Sequence, residues 1–226
     1  MMNPTRGIKS RRTRPAKDPL SREIIVQTAY ELLKKQGIQG ISMRRVAKEL
    51  DTGPSSLYVY VKNFQELCAF VLDYGLGQLV LPTSAEGSWK ERLFDALDAY
   101  LMLLFEQPGL AELSLTTIPM GTNSLRLIEF ILSALYEGGV SSKAAAWGAD
   151  LFLFYVSSTA FEHVSWKQDG NDHMSVIKQS FQMVNPVHYP LIASLKEELF
   201  SGDTEAKERF RWGLEVILQG ILKTRH

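Results

Sequence analysis

The 226-residue chain has a single cysteine, Cys68, so no internal disulfide framework can be built and the sequence suits a reducing compartment. Cys68 lies in the run Leu67-Cys68-Ala69-Phe70-Val71-Leu72, where it reads as a small buried hydrophobe rather than a reactive thiol. No segment reaches the roughly 18 apolar residues that a membrane span needs. The longest candidate, residues 151–161, is short and carries Ser157, Ser158 and Thr159. The N-terminus is basic but has no apolar stretch behind its charges, which argues against a secretory signal. These absences together give the expectation of a cytoplasmic protein with no membrane partner.

Chemistry-bearing motifs are scarce too. The four histidines, His163, His173, His188 and His226, have neither an i,i+4 partner nor a CxxC neighbour, so no metal site is expected. His163 follows Glu162 without completing an HExxH pattern. Gly75-Leu76-Gly77 lacks the third glycine and the preceding strand of a dinucleotide fingerprint. There is no phosphate-binding P-loop and no GxSxG elbow. The expectation is a protein that is not an enzyme and takes no cofactor.

What is present is ordinary globular composition, 45% hydrophobic and 22% charged, on a length that suits one or two domains. The net charge of zero hides an asymmetry. Residues 1–62 carry 13 Lys and Arg against 5 Asp and Glu, and the remaining 12 basic residues face 20 acidic ones. A basic quarter joined to an acidic remainder suggests a polyanion-binding head on a body of another purpose.

Residues 1–20 are polar, with Arg6, Lys9, Arg11, Arg12, Arg14 and Lys17 and prolines at 4, 15 and 19. They are expected to form a disordered basic arm, either lying along DNA or inert. Ser21 can cap a helix running to Gln36, with Gly37 at its end. Ser42 caps a short helix, Met43 to Leu50. After the turn Asp51-Thr52-Gly53, Pro54 opens a third helix ending near Tyr60. Asn63 to Glu66 reads as a capping-box-like start of a fourth, running to about Leu79. Residues 81–88 form a linker. Beyond it the spacing predicts helices over 89–107, 109–117, 124–137, 142–166, 174–184, 190–200 and 204–222. The expected class is all-α. A three-helix helix-turn-helix head and its connecting helix occupy 21–80, and a helical ligand-binding and dimerisation body occupies 88–226.

A short helix, a tight turn and a second short helix is the geometry that lays one helix in the DNA major groove. Ala47 is small enough for a close crossing, and Leu50 and Leu57 supply the apolar seam. Pro54, Ser55, Ser56 and Val59 suit close groove approach, while Tyr58, Tyr60 and Lys62 can reach phosphates. The stretch Val46-Ala47-Lys48-Glu49-Leu50, followed by Ser56 to Leu67, resembles the DNA-binding domain of the tetracycline-repressor (TetR) family over residues 21–70. The helix-two alanine, Leu57-Tyr58-Val59-Tyr60, Lys62-Asn63 and Glu66-Leu67 carry the likeness. Asp51 stands where the family usually has glycine, Gly53 where Ser or Thr is common, and Val61 and Phe64 replace Phe and Lys. The resemblance implies an all-helical dimer on a palindromic double-stranded operator. It implies phosphate contacts from Ser42, Arg44, Tyr58, Tyr60 and Lys62, and base-facing positions at Thr52, Pro54, Ser55, Ser56 and Val59.

In the body, helix 142–166 is apolar on two sides, and the last helix carries a similar stripe. The expected dimer interface is Ala145, Ala149, Phe152, Val156 and Ala160 with Phe210, Gly213, Leu214, Ile217 and Ile221, a four-helix arrangement. The expected effector is a small, largely apolar or aromatic molecule. Its candidate pocket is Phe105, Asn123, Arg126, Trp147, Phe154, Tyr155, Ser158 and Glu162. The resulting function is a sequence-specific transcriptional regulator, a repressor released from its operator when a ligand shifts helix 63–79. A regulator without a small-molecule effector, an activator, and a helical enzyme or interaction module that docks through the head are the alternatives.

Overall fold

The computed structural model describes residues 19–83, 87–168, 173–201 and 207–224, among which every regular element is helical. Most of the basic arm, residues 1–18, lies outside this set.

Helix α1 (Arg22–Gln36) starts at Ser21, whose Oγ accepts the Ile24 N–H at 3.3 Å. It stops at Gly37, where φ of +67° suits a residue without Cβ. A short 3₁₀ turn, Ile38–Gly40, is an element the sequence pattern did not signal. Helix α2 (Met43–Glu49) begins under the Ser42 cap. Helix α3 (Pro54–Leu57) is shorter than expected, because the Tyr60 N–H turns back to the Leu57 carbonyl and ends the helical ladder. Helix α4 (Phe64–Leu76) is capped by Asn63, whose Oδ1 accepts the Glu66 N–H at 2.8 Å. The Glu66 carboxylate accepts from Lys62 N rather than Asn63 N, so the reciprocal half of a capping box falls one residue early. Helix α4 ends at Leu76 rather than Leu79, through i→i+3 turns at Gln78 and Leu79.

The body follows with α5 (Trp89–Glu106), opened by a full capping box between Ser88 and Glu91. Next come α6 (Pro108–Thr116), α7 (Thr122–Glu137) and the long α8 (Ser142–Gln168). Helices α9 (His173–Gln182), α10 (Pro190–Leu199) and α11 (Glu208–Lys223) complete the order. Helix α8 is the axis, packing on α5, α6, α7 and α11, while α9 and α10 pack on each other.

One buried cluster runs from the head, through Ile25, Ala29, Val46, Leu57 and Leu67, into the body at Leu97, Leu104, Leu110 and Phe152. Head and body meet at a second, polar point. Tyr30 donates to Gln107 Oε1, Gln78 Nε2 donates to the Tyr30 hydroxyl, and Gln107 Nε2 donates to Gln78 Oε1, closing a ring. Beside it Gly109 lies so close to Leu33 that a Cβ there would fall 2.4 Å from Leu33 Cδ1.

Candidate DNA interface and ligand cavity

The turn between α2 and α3 is set by backbone bonds. The Thr52 N–H reaches the Ala47 carbonyl at 2.9 Å and the Asp51 N–H reaches Lys48 at 3.0 Å, the paired bonds of a Schellman ending. Asp51 occupies the left-handed position, φ 47°, so the aspartate that stands where glycine is usual adopts the conformation the turn requires. Gly53 then leads into α3 in extended backbone, with Pro54 at the first helical position.

This geometry turns one face outward. Arg44, Pro54, Ser55, Tyr58, Val59 and Lys62 are exposed, while Ser42, Thr52, Ser56 and Tyr60 are half-buried. Ser42 Oγ is occupied as the α2 cap, accepting the Arg45 N–H at 3.2 Å. Tyr60 packs against the core, whereas Tyr58 is 54% exposed and stands outside the head's interior. Leu57 and Val61 fill that interior instead. Ser42, Arg44, Pro54 and Tyr58 border one shallow groove with Phe64. Lys48, which the sequence pattern did not single out, borders a second with Arg44, Thr52 and Pro54. Its position one turn after Arg44 on α2 was the available signal.

The body holds a cavity of about 380 Å³. Its walls are Leu72 and Leu76 of α4, Tyr100 of α5, residues 114–119 at the end of α6, Ser124, Leu127 and Ile128 of α7, and Asp150, Leu153, Phe154 and Ser157 of α8. Tyr100 and Ser157 lie at its floor, 3.2 Å apart between hydroxyl oxygens. Burial raises the Tyr100 pKa, so this phenol is neutral.

Of the eight residues expected in the pocket, Phe154 alone lines it. The other seven lie off its wall. Asn123 Nδ2 donates to the Asp73 carbonyl at 3.0 Å and Arg126 Nη2 to the Leu79 carbonyl at 2.7 Å, tying α7 to α4 and its tail. Phe105 stacks on His163 with ring centroids 4.1 Å apart. Tyr155 stacks on Phe210 of α11, and Trp147 is exposed beneath the Lys143 ammonium. Ser158 is half-buried and Glu162 exposed, both off the cavity wall. The polar signal that could have found the cavity was serine on otherwise apolar stripes, at 114, 124 and 157.

The residues expected at the dimer interface are buried within the single chain. Ala145, Phe152, Val156 and Ala160 are 0% exposed, and Ala149 is 3%. Phe210, Leu214 and Ile221 are buried, Gly213 meets Tyr155 and Ile217 is half-buried against the core. These residues form the seam between α8 and α11 within one chain and between α8 and its own core. The small alanines explain it, because they let neighbouring helices approach α8 closely. The outward apolar residues are Trp147, Leu151, Phe154 and Phe161 on α8, with Trp212 and Val216 on α11.

The helix that carries the head is fastened to the cavity wall by Asp73 of α4. Its carboxylate accepts the Ser124 N–H at 2.7 Å and the Ser124 hydroxyl at 2.9 Å, capping α7 from a different helix. Asn123 Nδ2 adds a contact at 3.3 Å. Gly121, at φ +115°, leaves room for this carboxylate, since a Cβ there would fall 2.4 Å from Asp73 Cγ.

Residues 25–67 match the family model described as bacterial regulatory proteins, tetR family, and residues 81–225 match the tetracyclin repressor-like C-terminal domain. The chain belongs to the TetR family of transcriptional regulators. A curated relative, an HTH-type transcriptional regulator from Saccharopolyspora erythraea, is 28% identical across 96% of this chain and 89% of its own. The HTH-type transcriptional repressor DrrR1 of Streptomyces coeruleorubidus is 27% identical, over 92% of this chain and 80% of that one. Among solved structures, the TetR family protein ActR of Streptomyces coelicolor in complex with actinorhodin is 30% identical with a TM-score of 0.80, covering 90% of this chain and 97% of that one. Among the described residues no helix of this TetR-family chain is long and apolar enough to cross a membrane.

Proposed function

We propose that this regulator is a homodimeric repressor that binds a palindromic operator through α2 and α3 and leaves it when a small molecule enters the body cavity. The observation that carries this reading is the position of α4. Its Asn63 end adjoins the DNA-facing turn, and its Leu72 and Leu76 form part of the cavity wall. A ligand that contacts Leu72 or Leu76 of α4 together with Ser124 or Leu127 of α7 therefore touches both sides of the Asp73 cap. Filling the cavity in a form that displaces α4 changes the separation of the two heads. In the DNA-competent dimer the recognition elements lie about 34–36 Å apart or at a wider multiple of a DNA turn. Release requires that the ligand prefer the incompetent state. ActR solved with actinorhodin supports a ligand-taking body on this fold.

Within this reading Arg44, Tyr58, Tyr60 and Lys62 contact phosphates, with Ser42 ordering the first turn of α2. Thr52, Pro54, Ser55, Ser56 and Val59 face base edges. The outward residues Trp147, Leu151, Phe161, Trp212 and Val216 form the pairing surface between two chains, with Phe154 left at the cavity.

The test is a thermal-shift screen of small molecules on the full-length protein, followed by operator binding with and without each stabilising compound. The expected result is at least one compound that raises the melting temperature and weakens operator binding. Stabilising compounds that all leave operator affinity unchanged would contradict the release mechanism.

A further inference from the structure

The charge around the cavity is one-sided. Among its lining residues Asp150 is the only one that carries a formal charge; the rest are apolar side chains or hydroxyls. Asp150 is exposed at the mouth, and no ion pair among the described residues involves it. The carboxylate of Asp73 lies behind Ser124 and is committed to the α7 cap. Two basic groups on the helices that wall the cavity are engaged elsewhere: Arg126 of α7 with the Leu79 carbonyl and Lys143 of α8 over the Trp147 ring.

Phe154 stands one helical turn after Asp150, on the same face of α8, and also lines the cavity. A carboxylate beside an aromatic face is a pairing that favours an ammonium group and disfavours an anion. At the other end, Tyr100 and Ser157 are 4% and 3% exposed. Ser114 uses its proton on the Ala111 carbonyl at 2.8 Å, leaving its oxygen as an acceptor. This floor offers uncharged hydroxyl donors and acceptors and no cation. The walls between floor and mouth are Leu72, Leu76, Leu115, Leu127, Ile128 and Leu153.

We infer that the cavity takes an organic cation, a largely apolar ring system with a protonated amine held at the mouth by Asp150 and Phe154 and an uncharged polar group at the Tyr100–Ser157 floor. This rests on the ligand reading above and specifies the chemical class of that ligand. Asp150 and Phe154 act as specificity-determining residues: they select for charge, while the leucine walls supply most of the contact area. Because Asp150 is solvent-accessible, its effect is a preference of about three- to fivefold rather than an absolute filter.

The experiment compares two fluorescent dyes of the same three-ring size on the full-length protein without DNA: proflavine, a cation at neutral pH, and anthracene-2-carboxylate, an anion. Each is titrated by fluorescence into the wild type and the Asp150→Asn and Asp150→Lys variants, with circular dichroism and sedimentation run on each variant to compare its fold and assembly with the wild type. The expected result is saturable binding with proflavine preferred in the wild type. That preference falls about three- to fivefold in Asp150→Asn and falls further in Asp150→Lys. Saturable binding of both dyes with a ratio that does not depend on residue 150, or a preference for the carboxylate in the wild type, overturns the charge assignment and leaves the ligand reading standing. No saturable binding of either dye counts against both.

Discussion

Asp73 caps a helix other than its own, and that placement gives a single side chain structural weight on two elements. Replacing it with alanine leaves the Ser124 N–H and hydroxyl without their acceptor in a partly buried site. We expect Asp73→Ala to lower stability by about 1–2 kcal/mol, read as a shift in denaturant midpoint with the slope unchanged. Lys62 is a contrasting case, with a side chain 87% exposed and only a 4.0 Å approach to Glu66. Exposed pairs of this kind contribute little to folding. Lys62→Ala should leave the melting temperature within experimental error. It should weaken binding to operator and random DNA alike, and lower the salt slope by about 0.9 for each phosphate that the lysine neutralises. Equal salt slopes for the variant and the wild type would remove Lys62 from the interface. Cys68 is inert for a physical reason: burial pushes its thiol pKa up to about 11, so the nucleophilic thiolate is scarce at neutral pH. A thiol reagent should label it only after denaturant unfolds the chain.

At the scale of elements, most of the helix order was legible in the sequence, because caps and breakers are local. Ser21, Ser42, Asn63 and Ser88 each accept a backbone N–H where the pattern placed a helix start. The 3₁₀ turn at 38–40 and the early ends of α3 and α4 were not legible, since i→i+3 turns leave little mark on apolar periodicity. The two stripes of α8 were visible in the sequence, and the alanine-rich one, expected at a dimer interface, is the one buried within the chain. Periodicity says that both faces are covered without saying which face meets the chain's own core, and that is decided by α5, α6 and α11 arriving from elsewhere in sequence. The cavity was illegible for the same reason, as its walls come from five helices. Close helix contacts give a direct test of this packing. Gly109→Ala would place a Cβ within 2.4 Å of Leu33 Cδ1, at the junction of α1 and α6. It should cost about 1–3 kcal/mol by overpacking and loosen the head from the body, seen as faster amide exchange in α1.

For the whole molecule, the proposed dimer would link pairing of the bodies to DNA binding. Two short recognition elements act together only if the bodies hold them at a fixed spacing, so under this reading a surface far from the DNA would set affinity. Trp147 is 61% exposed and Trp212 67%, high values for side chains of that size and apolarity. The Trp147→Glu, Trp212→Glu double variant should sediment as a monomer with its helix content unchanged and should bind operator at least tenfold more weakly. A variant that stays dimeric would place the pairing surface elsewhere. The central claim remains that this head reads DNA sequence, and one measurement addresses it most directly: capture of fragmented genomic DNA at about physiological salt, followed by anisotropy titration of the enriched fragments at several salt concentrations. The account predicts a few palindromic fragments bound with Kd of roughly 10⁻⁸ to 10⁻¹¹ M, with affinity falling steeply as salt rises. Weak binding that is equal on enriched and random fragments would contradict it.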